Sequence, residues 1–253
     1  MTETTIPPST SGAVRPRVGV SACLIGDQVR FDGGHARDTF VAESLDPFVT
    51  WIKVCPEMEA GLGTPREPIR LIGRPGAIRV ASTRTRSDVT AELHEVSVRR
   101  AAALASQDLD GFVLKKDSPS CGLHRVRVYK DDGTATRDGR GVFASALTSA
   151  MPLLPVEEEG RLVDPGIREH FIERVFAHQR LRELGEPQGV HALMRFHTRH
   201  KLLLLAHSPA IYKAMGSLVA IARPAHLGEL MRQYREAFMT ALVSPATRPK
   251  HVN

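Results

Sequence analysis

The chain has 253 residues, is 42% hydrophobic and carries a formal charge of +6, which suits one or two domains with a full core and excludes a disordered chain. No stretch approaches the ~20 consecutive apolar residues of a membrane span, and the opening MTETTIPPSTSGAVRPR lacks the apolar centre of a secretory signal, so a soluble cytoplasmic protein without membrane partners is expected. Its three cysteines, Cys23, Cys55 and Cys121, are odd in number and far apart, unlike a disulfide framework and open to thiolate or metal chemistry.

Residues 1–16 read as a disordered arm. RVGVSAC (17–23) is a short strand ending at a cysteine. Residues 38–51 have helical spacing, and WIKVC (51–55) is a second strand ending at a cysteine. AIRVAST (77–83) is a third. Residues 87–108 form a helix, with Ser87 as its cap and Val89, Leu93, Val96 and Ala103 on one face. DGFVLKK (110–116) is a fourth strand that leads into the loop carrying Cys121. VRVYKDDGTATRDGRG has turn chemistry, and 142–151 is a helix. Strands separated by helices indicate an α/β domain over 17–152 with a largely parallel, Rossmann-like sheet. The proline-rich, acidic stretch 153–165 reads as a linker. Beyond it, over 166–253, the pattern is helical only (167–184, 189–207, 209–222, 226–243), which predicts an all-α helical bundle. Residues 190–253 hold nine Lys/Arg against two acids, so the positive charge sits on this second domain, the footprint of a polyanion partner.

Each cysteine falls at the C-terminal end of a predicted strand or in the loop that follows. In open α/β sheets the ligand crevice lies there, so residues remote in sequence converge. SACLIGDQVRFDGGH surrounds Cys23 with glycines that allow tight turns. In VCPEMEAGLGTPREPIRLIG a proline follows Cys55, as in some iron–sulfur ligand motifs, and Glu57 can aim at whatever Cys55 binds. Arg66 and Arg70 can receive an anion or pair with Glu59 or Glu67. In KKDSPSCGLH the Ser118 and Ser120 hydroxyls can donate to a substrate or to cluster sulfur, and Lys115 and Lys116 favour nearby negative charge. Structural zinc asks for four ligands; His35 or His124 can supply the fourth, which leaves zinc open. A cubane cluster on three cysteines leaves one iron for a substrate atom, sulfur above all.

SACLIGDQVRFDGG, VCPEMEAGLGTPREPIRL and KKDSPSCG, in that order, resemble the thiouracil desulfurases over roughly residues 17–150. FHTRHKLLLLAHSPAIYKAMGSLVA (196–220) resembles the helical domain fused to that catalytic domain in the tRNA 4-thiouridine desulfidases. The resemblance implies a 4Fe–4S cluster on Cys23, Cys55 and Cys121 with one open iron, and non-redox conversion of 4-thiouridine in tRNA to uridine plus hydrosulfide. Free thiouracil is a further candidate substrate. Glu57 would be the acid/base, Ser118 and Ser120 would bond substrate or cluster, and Arg30, Arg66 and Lys115 would bind substrate. Two positions depart from the family pattern: Phe31 and Ala36 stand where a tyrosine and a lysine are expected. The chain stops at ATRPKHVN, where that helical domain normally continues, so either a truncated domain or a shortened variant is expected. Arg195, Arg199, His200, Lys201 and Lys213 are the candidates for RNA phosphates, with His197 and Tyr212 read as packing. Two other uses of the same parts are sulfur insertion into RNA, which would need a sulfur donor, and an RNA-binding protein built around a structural metal.

Overall fold

The structure is a computed structural model that describes residues 14–74, 76–130, 132–185 and 189–246. Its strands, in chain order, are β1 (Arg17–Ser21), β2 (Thr50–Val54), β3 (Ile69–Arg74), β4 (Ala77–Ser82), β5 (Gly111–Leu114), β6 (Val126–Tyr129), β7 (Ala135–Gly139) and β8 (Val156–Glu158). Its α-helices are α1 (Pro56–Glu59), α2 (Thr90–Ala105), α3 (Val142–Ala150), α4 (Pro165–Leu184), α5 (Val190–Arg199), α6 (Lys201–His207), α7 (Pro209–Ala220) and α8 (Leu227–Ala241). The expected arm, apart from residues 14–16, lies outside the described residues, as do Arg248 and Lys250.

The first sheet has the order β2-β1-β5-β8 and is parallel throughout. Its central strands are short apolar runs because both faces are covered. Phe112 and Leu114 of β5 pack with Leu104 of α2 and with Phe143 and Leu147 of α3. Val113, together with Val18 and Val20 of β1, packs with Phe171 and Val175 of α4. The chain leaves β1 for β2 on one side and later returns to β5 on the other. The C-terminal ends of β1 and β5 therefore flank a topological switch point, where such sheets open a crevice.

Several expectations need correction. The strand expected at 77–83 does not join this sheet: β4 pairs antiparallel with β3 in a second, mixed sheet of order β4-β3-β6-β7. The stretch read as turn chemistry is the β6–β7 hairpin of that sheet. The stretch read as a linker contributes β8, with Val156 opposite Phe112 and Glu158 opposite Leu114. The α2 helix starts at Thr90 with Val89, not Ser87, at the N-cap position, and the Asp88 side chain accepts from the Thr90 N–H at 2.9 Å. The helix expected at 38–51 is a π-helical turn, Phe40–Leu45, followed by a 3₁₀ turn at Asp46–Phe48.

The helical half begins inside the first domain. Asp164 caps α4 by accepting from the N–H groups of Gly166 (2.8 Å) and Ile167 (3.0 Å), with Pro165 at the first helical position, the arrangement that favours helix initiation. The first half of α4 covers the parallel sheet; its second half, through Ala177 and Leu181, packs with Leu193, Phe196, Leu204, Met215, Tyr234 and Phe238 of α5–α8. The helix expected over 189–207 breaks at His200, dividing α5 from α6. Asp110, fully buried at the start of β5, locks α4 to the sheet. It accepts from Arg182 Nε and Nη (2.9 Å each) and the Arg17 N–H (3.0 Å), and pairs with His178 at 3.2 Å. Among the described residues no helix is long and apolar enough to cross a membrane.

Candidate active site

Cys23 lies in the 3₁₀ turn Ala22–Ile25 directly after β1, where the Ala36 N–H donates to its carbonyl at 3.0 Å. Cys55 follows β2 and stands at the N-terminus of α1, whose first residue is Pro56. Cys121 sits in the loop after β5. That loop is held by the start of α3: the N–H groups of Val142 and Phe143 donate to the carbonyls of Pro119 (3.1 Å) and Ser120 (2.9 Å). Gly141 makes the approach possible, since a Cβ there would lie 2.4 Å from the Ser120 carbonyl oxygen. All three thiols line one cavity of about 310 Å³, with Val29, Arg30, Phe31, Glu57, Arg66, Ile69, Lys115, Ser118 and Ser120 among its walls.

All three are free thiols. Burial is the main reason each is hard to ionise; it pushes Cys23 up to about 11 against the pull of Arg30, and it raises Cys55 and Cys121 as well. A bound cation reverses that balance, because a coordinating thiol is deprotonated outright. Three soft donors from three strand ends around one cavity fit an iron–sulfur group. Among the described residues no three His, Cys, Asp or Glu side chains converge on a point fit for a single metal ion. A cluster, which spreads its ligands over separate irons, asks for a surrounded space instead. The zinc alternative lacks its fourth ligand: His35 Nδ1 accepts from the Arg37 N–H at 3.2 Å, and His124 faces Glu157 at 3.9 Å, both away from the cavity.

The carboxylate beside the thiols is Glu57. The Ser120 hydroxyl donates to its Oε1 at 2.6 Å. Ser120 has one proton, so at the 3.0 Å contact between the two serines Ser118 is the donor and a chain of hydroxyls runs Ser118 to Ser120 to Glu57. The Ser118 oxygen also accepts the N–H groups of Ser120 (3.2 Å) and Cys121 (3.1 Å). Ser120 is fully buried, while Ser118 is half-buried and forms the open end of the chain.

Two of the residues expected to bind substrate are committed elsewhere. Arg66 is a clamp: its Nε donates to Glu57 Oε2 at 3.0 Å, one Nη donates to the same oxygen, and the other donates to the carbonyls of Val29 (3.0 Å) and Gly63 (2.7 Å). At most one N–H remains for a ligand. Lys115 is paired with Glu159, which also accepts the Lys116 N–H at 2.7 Å. Among the described residues Arg30 has no closer carboxylate than Asp32, at 4.0 Å, and its guanidinium lies 5.4 Å from the Phe31 ring centroid. Phe31 itself stands half-exposed at the mouth, while Ala36 packs among partly buried apolar groups away from the lining.

Sequence reasoning passed over three supports. The Ser21 hydroxyl accepts from the Lys115 N–H at 3.0 Å and hydrogen-bonds the Cys121 thiol. Glu158 and Glu159, read as part of an acidic linker, are buried; Glu158 accepts from Leu123 N–H (2.7 Å) and His124 N–H (3.1 Å), anchoring the exit of the Cys121 loop. The only trace of them in the sequence is an acidic triplet directly after an apolar Pro-Val.

In the helical half, Arg195 and Arg199 are exposed and line a groove of about 850 Å³ with Arg180, which the sequence reading did not single out. Lys201 and Lys213 are exposed. His200 is not a surface contact: its Nδ1–H donates to the Phe196 carbonyl at 2.9 Å, its ring stacks on Phe196, and burial holds its pKa down. His197 is buried beside Tyr234 and stacks on Tyr212.

Comparison with known proteins places these features in a family. The family described as 2-thiouracil desulfurase matches residues 18–159, and one described as a protein of unknown function (DUF1722) matches residues 201–253. The uncharacterized protein YbbK of Bacillus subtilis is 30% identical over 138 residues, 52% of this chain and 86% of that protein. The uncharacterized protein YbgA of Escherichia coli is 39% identical over 84 residues, 32% of this chain and 48% of that protein, so the match spans about half of YbgA. The solved structure of the 4Fe–4S-dependent thiouracil desulfidase TudS aligns with a TM-score of 0.47 and 30% identity, over 59% of this chain and 94% of that one. With the desulfurase match covering more than half of its length, the chain belongs to the 2-thiouracil desulfurase family.

Proposed function

We propose that this protein is a non-redox desulfidase that removes sulfur from a thiolated uracil, with 4-thiouridine in tRNA as its substrate and a 4Fe–4S cluster held by Cys23, Cys55 and Cys121. The observation that carries the reading is the junction of three thiols, two buried and one half-buried, and the Glu57–Ser120–Ser118 chain at one cavity. When bound, the cluster supplies a soft Lewis acid for the thiocarbonyl sulfur.

The chain's own residues do the rest. Ser118, at the open end, meets the attacking water; its proton moves inward through Ser120 to Glu57 as the water oxygen bonds to the ring carbon. Arg66 fixes the carboxylate in place, with its Nε donating to Oε2 at 3.0 Å. Glu57 then returns the proton to the departing sulfur. The carbon–sulfur bond breaks as the new carbon–oxygen bond becomes a carbonyl, the second water proton passes from that oxygen to solvent, and hydrosulfide leaves with no change in oxidation state. Arg30 faces the ring at the cavity mouth. Arg195, Arg199, Lys201 and Lys213 hold the RNA by its phosphates, and the thiolated base is turned out into the crevice.

The test is direct. Protein reconstituted with iron and sulfide under argon, given tRNA containing 4-thiouridine, should lose the thiocarbonyl absorbance and release one hydrosulfide per uridine formed. Unchanged 4-thiouridine and unchanged free thiouracil in the presence of an intact cluster would refute the reading.

A further inference from the structure

A cleft of about 760 Å³ opens where the α/β half meets the helical half. It shares no lining residue with the thiol cavity. Thr148 of α3 and Val156 of β8 lie on one wall, and Val243 and Pro245, after α8, lie on another. The third wall is α4, which presents Ile167, His170 and Arg174. Those three are spaced three and four residues apart and so share one face of the helix.

Arg174 is unlike the other arginines of the lining. Its Nε is shielded from solvent and has no hydrogen-bond partner, and among the described residues its guanidinium makes neither a hydrogen bond nor an ion pair. Arg140 donates to the Leu123 carbonyl (3.2 Å) and the Thr148 hydroxyl (3.4 Å), and Arg161 donates to Glu157 (2.8 Å). Burial is the main influence on Arg174 and disfavours its charge; Glu157 offsets part of that. Yet Glu157 is already shared between Arg161 and His124, the latter at 3.9 Å. Two other acids are engaged as well: Asp164 caps α4, and Glu173 takes His207 at 2.8 Å. A half-buried guanidinium with all five N–H groups unused is costly unless a ligand completes it.

We infer that this cleft binds an apolar monocarboxylate, with Arg174 as the bidentate partner of its carboxylate. A planar guanidinium matches a carboxylate through two parallel hydrogen bonds. The charge of the ligand is limited by Glu157 and by the exposed Glu169, which line the same space and repel a phosphate dianion or a nucleic-acid strand. Its body is set by the walls. Leu123 and Leu154 are buried, Met151 is half-buried and Val243 is 59% exposed, so an aliphatic or aromatic group covers apolar surface there. The volume suits a small organic acid. The cleft also backs onto the loop of the third cysteine: Leu123 is two residues beyond Cys121, and its N–H is anchored on Glu158 at 2.7 Å. A ligand in the cleft therefore rests against the exit of that loop. The inference is independent of the reaction at the thiols.

Calorimetry on the cluster-reconstituted full chain tests the site with hexanoate, benzoate and their uncharged amides. Each carboxylate should bind about tenfold tighter than its amide, or more, as expected for charge-assisted hydrogen bonds. Arg174→Met should abolish most of that difference while melting no lower than wild type, because the protein itself offers this charge no partner. Val243→Asp, a change at an exposed position on another wall, should weaken both carboxylates and spare the amides; it decides the matter if the first variant fails to fold. Equal affinity for acid and amide, no measurable binding of either carboxylate, or a charge preference that survives in both variants overturns the site. Inorganic phosphate that binds more tightly than hexanoate overturns the assigned class of ligand. A drop in melting temperature for Arg174→Met with carboxylate binding intact makes Arg174 a structural residue and overturns its role.

Discussion

Glu57 is gripped at both oxygens, by Arg66 at one and by Ser120 at the other. That grip fixes its orientation, and the acid/base role proposed for it has a clean test. Glu57→Gln keeps the size of the side chain but cannot take a proton, so turnover of 4-thiouridine should fall about 10²–10⁴-fold while iron content is retained; activity within tenfold of wild type would contradict the assigned role. The convergence of the cysteines was legible in the sequence because thiols are scarce and each lies at the end of an apolar run or in the loop just after one. The charge partners were not. Arg66 had Glu59 and Glu67 as neighbours in sequence, yet it pairs with Glu57, while Glu59 faces Arg100 and Glu67 accepts the Thr85 N–H. Several carboxylates within reach of one guanidinium leave the choice to the tertiary fold.

At the level of elements, the Cys121 loop depends on how closely the start of α3 approaches it. Gly141→Ala would drive a methyl into the Ser120 carbonyl at 2.4 Å, a backbone contact that cannot give way. We expect a loss of about 1–3 kcal/mol, seen as a lower melting temperature, with weakened cluster retention; a variant as stable as wild type would show the loop to be compliant. Parallel strands ending at cysteines were readable because period and length agree there. The β8 strand was not, because three consecutive glutamates hide it. Each has its own partner, Arg161 for Glu157 (2.8 Å), the loop amides for Glu158 and Lys115 for Glu159, and such partners are invisible to local patterns. The β6–β7 hairpin was missed for the opposite reason: its turn residues outweighed two short strands.

The whole molecule is tied together through Asp110. Burial disfavours its charge, but hydrogen bonds from His178, Arg182 and the Arg17 N–H outweigh burial and hold its pKa below the usual carboxylate range. A depressed folded pKa means that the stabilisation is complete above the unfolded value of about 3.9 and is lost as the pH falls through the folded value. Asp110→Asn should therefore cost about 3 kcal/mol at pH 7, with the gap to wild type closing below about pH 4 in thermal melts; a gap independent of pH would contradict the ion-pair account. The charge of the helical half acts at the same scale. Replacing Arg195 and Arg199 with alanine should weaken tRNA binding and lower the slope of log affinity against log salt by about two. An unchanged slope in filter binding would remove these residues from the interface. The basic charge of this half was plain in the sequence, whereas the sharing of α4 between two cores was not, because one apolar stripe serves both.

The central claim is that Cys23, Cys55 and Cys121 together hold an iron–sulfur cluster. Iron and acid-labile sulfide per chain, measured after anaerobic reconstitution of wild type and of the three single Cys→Ala variants, test it most directly. The account predicts about four of each in wild type, with a brown chromophore, and a folded, colourless, inactive protein for each variant. Stoichiometric zinc, no metal at all, or a full cluster surviving in any one of the three variants would contradict it.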